Sequence, residues 1–168
     1  MPLVKAWASS SLVQSSGAKL RSAGTDDGEK EKLQAFLNEM PGKNIEFLGP
    51  VFGKEKEKLL TDSHFYILPS LSEGFPTSVV EAAGAGLIPL ISEGCNFPEI
   101  LDCKAAIDSG KTEASIKEAI ESAIRLPDSE KTAMRSRGRS LIEKEFLWDL
   151  IADSQADIYG RLLNSEKI

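Results

Sequence analysis

Two short runs built wholly of apolar residues, FYIL at 65–68 and LIPLI at 87–91, flank a stretch, TSVVEAAGAG, with the small-residue pattern of a helix. A strand with no polar side must be covered on both faces, and parallel sheets sandwiched between helices provide that cover. The rest of the chain repeats the alternation. AKLRSAG and NIEFLG read as strands, with an amphipathic helix, DDGEKEKLQAFLNEM, between them, and GKEKEKLLTDS reads as a short charged helix. After LIPLIS come a short helix, PEILD, a weak strand, AAIDS, and three helical stretches from Thr112 to the end. Leu3, Val4, Trp7, Ala8, Leu12 and Val13 recur at helical spacing, so one helix is expected to open the chain. The expected fold is a doubly wound, Rossmann-like parallel α/β sheet with a helical C-terminal extension, a single domain over 1–168. Such a domain ordinarily opens with a strand, so the first βα unit is expected to be missing or built differently. A lost strand would leave a sheet edge open, with the first helix packed at that edge and self-association through it.

Composition removes several function classes. With 168 residues and 41% hydrophobic content the chain has enough material for a core. No apolar run approaches the roughly 20 residues of a membrane helix, and the N-terminus lacks the pattern of a signal peptide. A net charge of −6 argues against a nucleic-acid partner. One histidine, His64, and two cysteines, Cys95 and Cys103, form neither a zinc pattern nor a redox pair, so no protein-built metal site is expected.

The segment PSLSEGFPTSVVEA, 69–82, follows a strand and enters a helix, so it lies at the carboxyl edge of the sheet, where such folds bind ligands. It carries two carboxylates, Glu73 and Glu81. Ser78 and Glu81 fit a capping box, and an acidic first turn suits the helix dipole, so Glu81 has a structural reading. Glu73 could equally be a solvated loop residue. The same geometry also has a functional reading. The turn Gly74-Phe75-Pro76 delivers free N–H groups at a helix start, where phosphate oxygens bind, and Gly74 lets a ligand approach the backbone. Pro76 has no N–H, which leaves Phe75, Thr77 and Ser78 as backbone donors. A carboxylate can accept from both hydroxyls of a vicinal diol, so one glutamate could hold a ribose and the other a sugar.

E-G-F-P-T-S-V-V-E, with FYILPSLS before it and AAGAGLIPLIS after it, resembles the donor-binding half of retaining GT-B glycosyltransferases, glycosyltransferase family 4 above all. The likeness takes in KLRSAGTDDGE, NIEFLGPV, GCNFPEI and the closing helices. It implies that Glu81 binds ribose hydroxyls and that Glu73, the catalytic candidate, contacts the transferred sugar near the reacting face. Gly74, Phe75, Pro76, Thr77 and Ser78 would hold the diphosphate or sugar, and Gly49, Pro50 and Val51 would meet the base. The implied substrate is a nucleotide-diphosphate sugar, used with retention and without metal or other cofactor, in polysaccharide or glycoconjugate synthesis. The implied location is cytoplasmic, at the inner membrane surface for a full-length protein. Two departures stand out: no segment matches the family's GR…KG pattern, which carries an Arg/Lys pair for the leaving diphosphate, and the acceptor-binding N-terminal domain is absent. The isolated half is therefore expected to be inactive alone. A nucleotide-binding module that acts with a partner chain, another GT-B enzyme such as an epimerase or phosphorylase, and a carboxylate-pair glycosidase are the other readings.

Overall fold

The computed structural model describes residues 1–26, 28–39 and 42–165, with side chains described up to 163. Helices α1 (Pro2–Ser9) and α2 (Ser11–Ser16) open the chain, followed by β1 (Leu20–Ala23), α3 (Lys30–Glu39), β2 (Ile45–Gly49) and α4 (Gly53–Thr61). Next come β3 (Phe65–Leu68), α5 (Thr77–Gly84), β4 (Ile88–Ile91), a 3-10 turn (Glu93–Cys95), α6 (Pro98–Asp102) and β5 (Ile107–Asp108). Helices α7 (Glu113–Arg125), α8 (Asp128–Glu145) and α9 (Trp148–Ser165) complete it. Asp27 and Met40, inside the stretch DDGEKEKLQAFLNEM expected to form the second helix, lie outside the described residues.

Every strand pairing is parallel: β1 with β2, β3 with β4, and β4 with β5. The ladder falls into two sheets, β1-β2 and β3-β4-β5. Strands β1 and β3 each keep one edge without a strand partner among the described residues. Arg21 of β1 reaches across to the start of β3, where its guanidinium donates to the Asp62 carbonyl (3.0 Å) and the Ser63 hydroxyl (2.9 Å). The expected single sheet is therefore two parallel sheets that share a core.

Strand β4 shows why LIPLI needs no polar face. Leu90 packs with Ala6, Trp7, Val13, Leu20 and the inner face of α7, while Ile91 packs with Val79, Ala83, Phe97, Ile100 and Ile142. Successive side chains of a strand point to opposite faces, so one run feeds both cores. Each such side chain, fully buried, contributes about 1.5–3 kcal/mol. FYIL alternates in the same way, with Phe65 and Ile67 on one core and Tyr66 and Leu68 on the other. It is only half-buried, because β3 lies at the border of its sheet.

The opening helix is broken in two at Ser10. Ser10 has extended backbone angles, accepts from the Val13 N–H at 3.2 Å and donates to Glu121 at 2.7 Å. A serine that bonds the backbone locally starts a helix more readily than it continues one. Helix α1 packs on α7, and the Trp7 indole donates to the Lys43 carbonyl at 3.1 Å, so the first helix covers a sheet face instead of seating at an open edge. Gly86, at φ 88°, reverses the chain from α5 into β4, a left-handed position that favours glycine. Helix α9 leaves Trp148, Ile158, Tyr159 and Leu163 more than half exposed. No helix among the described residues is long and apolar enough to cross a membrane.

Candidate functional site

Parallel strands put their carboxyl ends on one edge of a sheet; there the loop after β1 bonds the end of β2, Gly24 N–H to the Gly49 carbonyl at 2.9 Å. The loop after β3 is tied to the loop after β4. The Glu73 N–H donates to the Gly94 carbonyl (2.8 Å), the Ser92 hydroxyl to the Ser70 carbonyl (2.5 Å), and the Cys95 thiol to the Leu68 carbonyl (3.1 Å). Asn96, in the left-handed region at φ 53°, donates its side-chain amide to the Gly74 carbonyl at 3.4 Å. Two otherwise open carbonyls of the Glu73 loop, those of Ser70 and Gly74, are thus taken by the neighbouring loop, which holds Glu73 half-buried.

The Gly74-Phe75-Pro76 turn is anchored by rings. Phe75 lies 5.7 Å, centroid to centroid, from both Phe97 and Phe146, and those two meet edge-on at 5.0 Å. Phe97 is buried, whereas Phe75 stays about half exposed, so the cluster fixes the turn without sealing it. Helix α5 then begins with Pro76 as its N-cap and no side-chain cap. The capping box on Ser78 does not form: Ser78 sits inside the helix, and the N-cap position belongs to Pro76. The Thr77 N–H is already given to the Phe75 carbonyl at 3.0 Å, and the Val79 N–H to Pro76 at 2.8 Å. The N–H groups of Gly74, Phe75 and Ser78 have no acceptor among the described residues. Of the three expected backbone donors, Phe75 and Ser78 are open and Thr77 is engaged.

With no capping role, the Glu81 carboxylate turns outward and accepts from Lys56 Nζ of α4 at 2.7 Å. The Gly49-Pro50-Val51 turn ends β2 and leads into α4; Gly49 has φ 69°, and its carbonyl accepts from the Gly24 N–H at 2.9 Å. Tyr66 of β3 is half-buried and packs against the core that holds Val79 and Phe97. Burial raises its phenol above the ordinary value, the charges of Glu73 and Glu81 add to the rise, and the hydrogen bond with Ser78 works against it. Sequence reasoning missed Lys56, Tyr66, Gly94, Asn96 and Phe146. None sits in the Glu73–Glu81 motif, and only tertiary contact links them to it. Among the described residues no group of three or more His, Cys, Asp or Glu side chains could hold a metal ion.

Parallel strands, helices on both faces and a carboxylate-flanked loop at the carboxyl edge define a Rossmann-like half of the GT-B type, and comparison with solved structures agrees. WaaG, a glycosyltransferase involved in lipopolysaccharide biosynthesis, superposes with a TM-score of 0.77 at 19% identity, covering 94% of this chain and 42% of that one. The C-terminal domain of the group 1 glycosyltransferase LpcC from Francisella tularensis gives 0.71 at 15% identity, over 88% of this chain and 78% of that one. Residues 2–141 match the family described as "Glycosyl transferases group 1", and the chain belongs to that family. It is 28% identical over 120 residues to a phosphatidylinositol N-acetylglucosaminyltransferase subunit from Arabidopsis thaliana, covering 71% of this chain and 26% of that protein. It is 28% identical over 112 residues to GDP-mannose:cellobiosyl-diphosphopolyprenol alpha-mannosyltransferase of Komagataeibacter xylinus, covering 65% of this chain and 28% of that protein. The chain thus spans about a quarter of the length of these curated relatives.

Proposed function

We propose that this chain is the donor-binding domain of a retaining glycosyltransferase of family 4, taking a nucleotide-diphosphate sugar and serving glycoconjugate or polysaccharide synthesis. One observation carries the reading: the open N–H groups of Phe75 and Ser78 lie at the sheet's carboxyl edge between two carboxylates that have no capping duty. The diphosphate docks on those donors and on the positive end of α5. Glu81 accepts from the ribose hydroxyls. Glu73, held by Gly94, accepts from hydroxyls of the transferred sugar. The turn at 49–51 meets the base. This use of the site needs neither metal nor cofactor. Transfer also needs an acceptor in near-attack geometry, which contributes roughly 7–11 kcal/mol to lowering the barrier. The acceptor site is assigned to a region outside these 168 residues, so the chain alone is expected to be inactive or nearly so.

The test is calorimetry with UDP, GDP and ADP, each beside its 2′,3′-dideoxy counterpart. Glu81→Ala should weaken binding of the ribonucleotide by about 1.5–3 kcal/mol for each lost hydrogen bond to the charged acceptor, and leave the dideoxy ligand nearly unaffected. Equal losses for both would remove the diol role of Glu81.

A further inference from the structure

Helices α4 and α5 flank the mouth of this site, and among the described residues the Lys56–Glu81 pair is the single hydrogen bond or ion pair between them. Most of the other charge pairs are local to one helix: Lys32–Glu29, Lys58–Asp62, Arg125–Glu121 and Lys131–Asp128 are three or four residues apart. Lys56, by contrast, crosses from the helix that follows the 49–51 turn to the helix that follows the Glu73 loop. Of the three lysines on α4 it alone is half-buried; Lys54 and Lys58 are exposed. Its ammonium takes Oε1 of Glu81, and Oε2 has no partner among the described residues. A partly exposed carboxylate on a three-bond side chain would otherwise sample several rotamers. Pinned through one oxygen, it presents the other along a fixed direction.

We propose that Lys56 is a positioning residue for the nucleoside end of the site: it orients Glu81 so that the free oxygen accepts from the diol of a ribonucleotide. The proposal rests on the donor-binding reading above. It assigns Lys56 no contact with the diphosphate, so its effect passes through the diol alone. A lysine that only braced two surface helices would alter binding of ribo- and dideoxy ligands alike, or neither. One that competed with the ligand for Glu81 would strengthen ribonucleotide binding when removed.

The experiment measures the ratio of dideoxy to ribo dissociation constants, for whichever of UDP, GDP and ADP binds tightest, in wild type, Lys56→Met, Lys56→Arg and Glu81→Ala. Phosphate binding and its salt dependence cancel in this ratio. Removing Lys56 should cut the ratio by about tenfold, with the loss confined to the ribo ligand. Lys56→Arg should restore most of it. In wild type the ratio should shrink as salt rises from about 0.05 to 1 M, because a partly exposed ion pair is still screened. In Lys56→Met it should stay flat. A Lys56→Met ratio equal to wild type, or a tighter ribo ligand, overturns the positioning role even where Glu81→Ala still abolishes diol preference. If wild type binds none of the three, or Glu81→Ala leaves the ratio unchanged, the donor-binding reading falls and this proposal falls with it.

Discussion

Replacing Gly94 by alanine tests how the Glu73 loop is held. Gly94 sits in the 3-10 turn after β4, and its carbonyl accepts from the Glu73 N–H at 2.8 Å. A Cβ there would stand 2.5 Å from the Leu71 carbonyl oxygen and closer still to that of Ser70. Gly94 is not among the glycines with positive φ, so the cost of a side chain is steric and not torsional. Both obstructing atoms belong to backbone and cannot rotate aside. The loop at 70–73 must retreat by roughly an ångström before ordinary contact is restored. Overpacking of this kind costs about 1–3 kcal/mol, and a weakened Glu73–Gly94 bond adds about 0.5–1.5 kcal/mol. The expected loss is therefore about 1.5–4.5 kcal/mol, a large share of the roughly 5–15 kcal/mol that holds a domain together. Urea unfolding followed through buried Trp7 would measure it. Gly160→Ala is the matched control: it lies in α9 with nothing within 4 Å of a new Cβ, so it should stabilise by about 0.5–1 kcal/mol. Under the proposed role of Glu73, Gly94→Ala should also weaken a nucleotide sugar more than the bare nucleoside diphosphate. Wild-type stability in Gly94→Ala would refute the claim that the two loops are packed backbone to backbone.

Phe97→Ala, at the buried centre of the three-ring cluster, should cost about 3–5 kcal/mol in urea unfolding and loosen the Phe75 turn, which would show as faster amide exchange at Thr77 and Val79, whose N–H groups bond the Phe75 and Pro76 carbonyls. The Glu121 carboxyl is held below its usual value, first by the Ser10 hydroxyl and then by the charges of Arg125 and Lys117. A depressed folded value means this stabilisation is present above the ordinary glutamate range near 4.5 and is lost as pH falls through the lowered folded value. Ser10→Ala should therefore flatten the acid side of the stability profile, and a profile superposing on wild type below pH 5 would contradict the assignment.

Apolar runs at strand length, separated by helix-length segments, were enough to read the order of strands and helices, because a strand covered on both faces leaves a period-free apolar signature. The place of the Glu73 loop and its two carboxylates was legible for the same reason: a loop after such a strand falls at the carboxyl end of a parallel sheet. Local chemistry misled in two places. Ser78 and Glu81 have capping-box spacing, yet Pro76 takes the N-cap position and Lys56 takes the carboxylate. The even helical pattern of 3–13 hides the break at Ser10, which a bond to Glu121, 111 residues away, holds in place. The partners of the site residues were decided by tertiary structure alone. Gly94 and Asn96 hold the Glu73 loop through its backbone, a contact that leaves no side-chain pattern in the motif. Lys56 is one of several lysines in a charged helix until folding brings it beside Glu81. The division of the strands into two sheets is tertiary as well, since pairing depends on which edges meet and not on what either strand is made of.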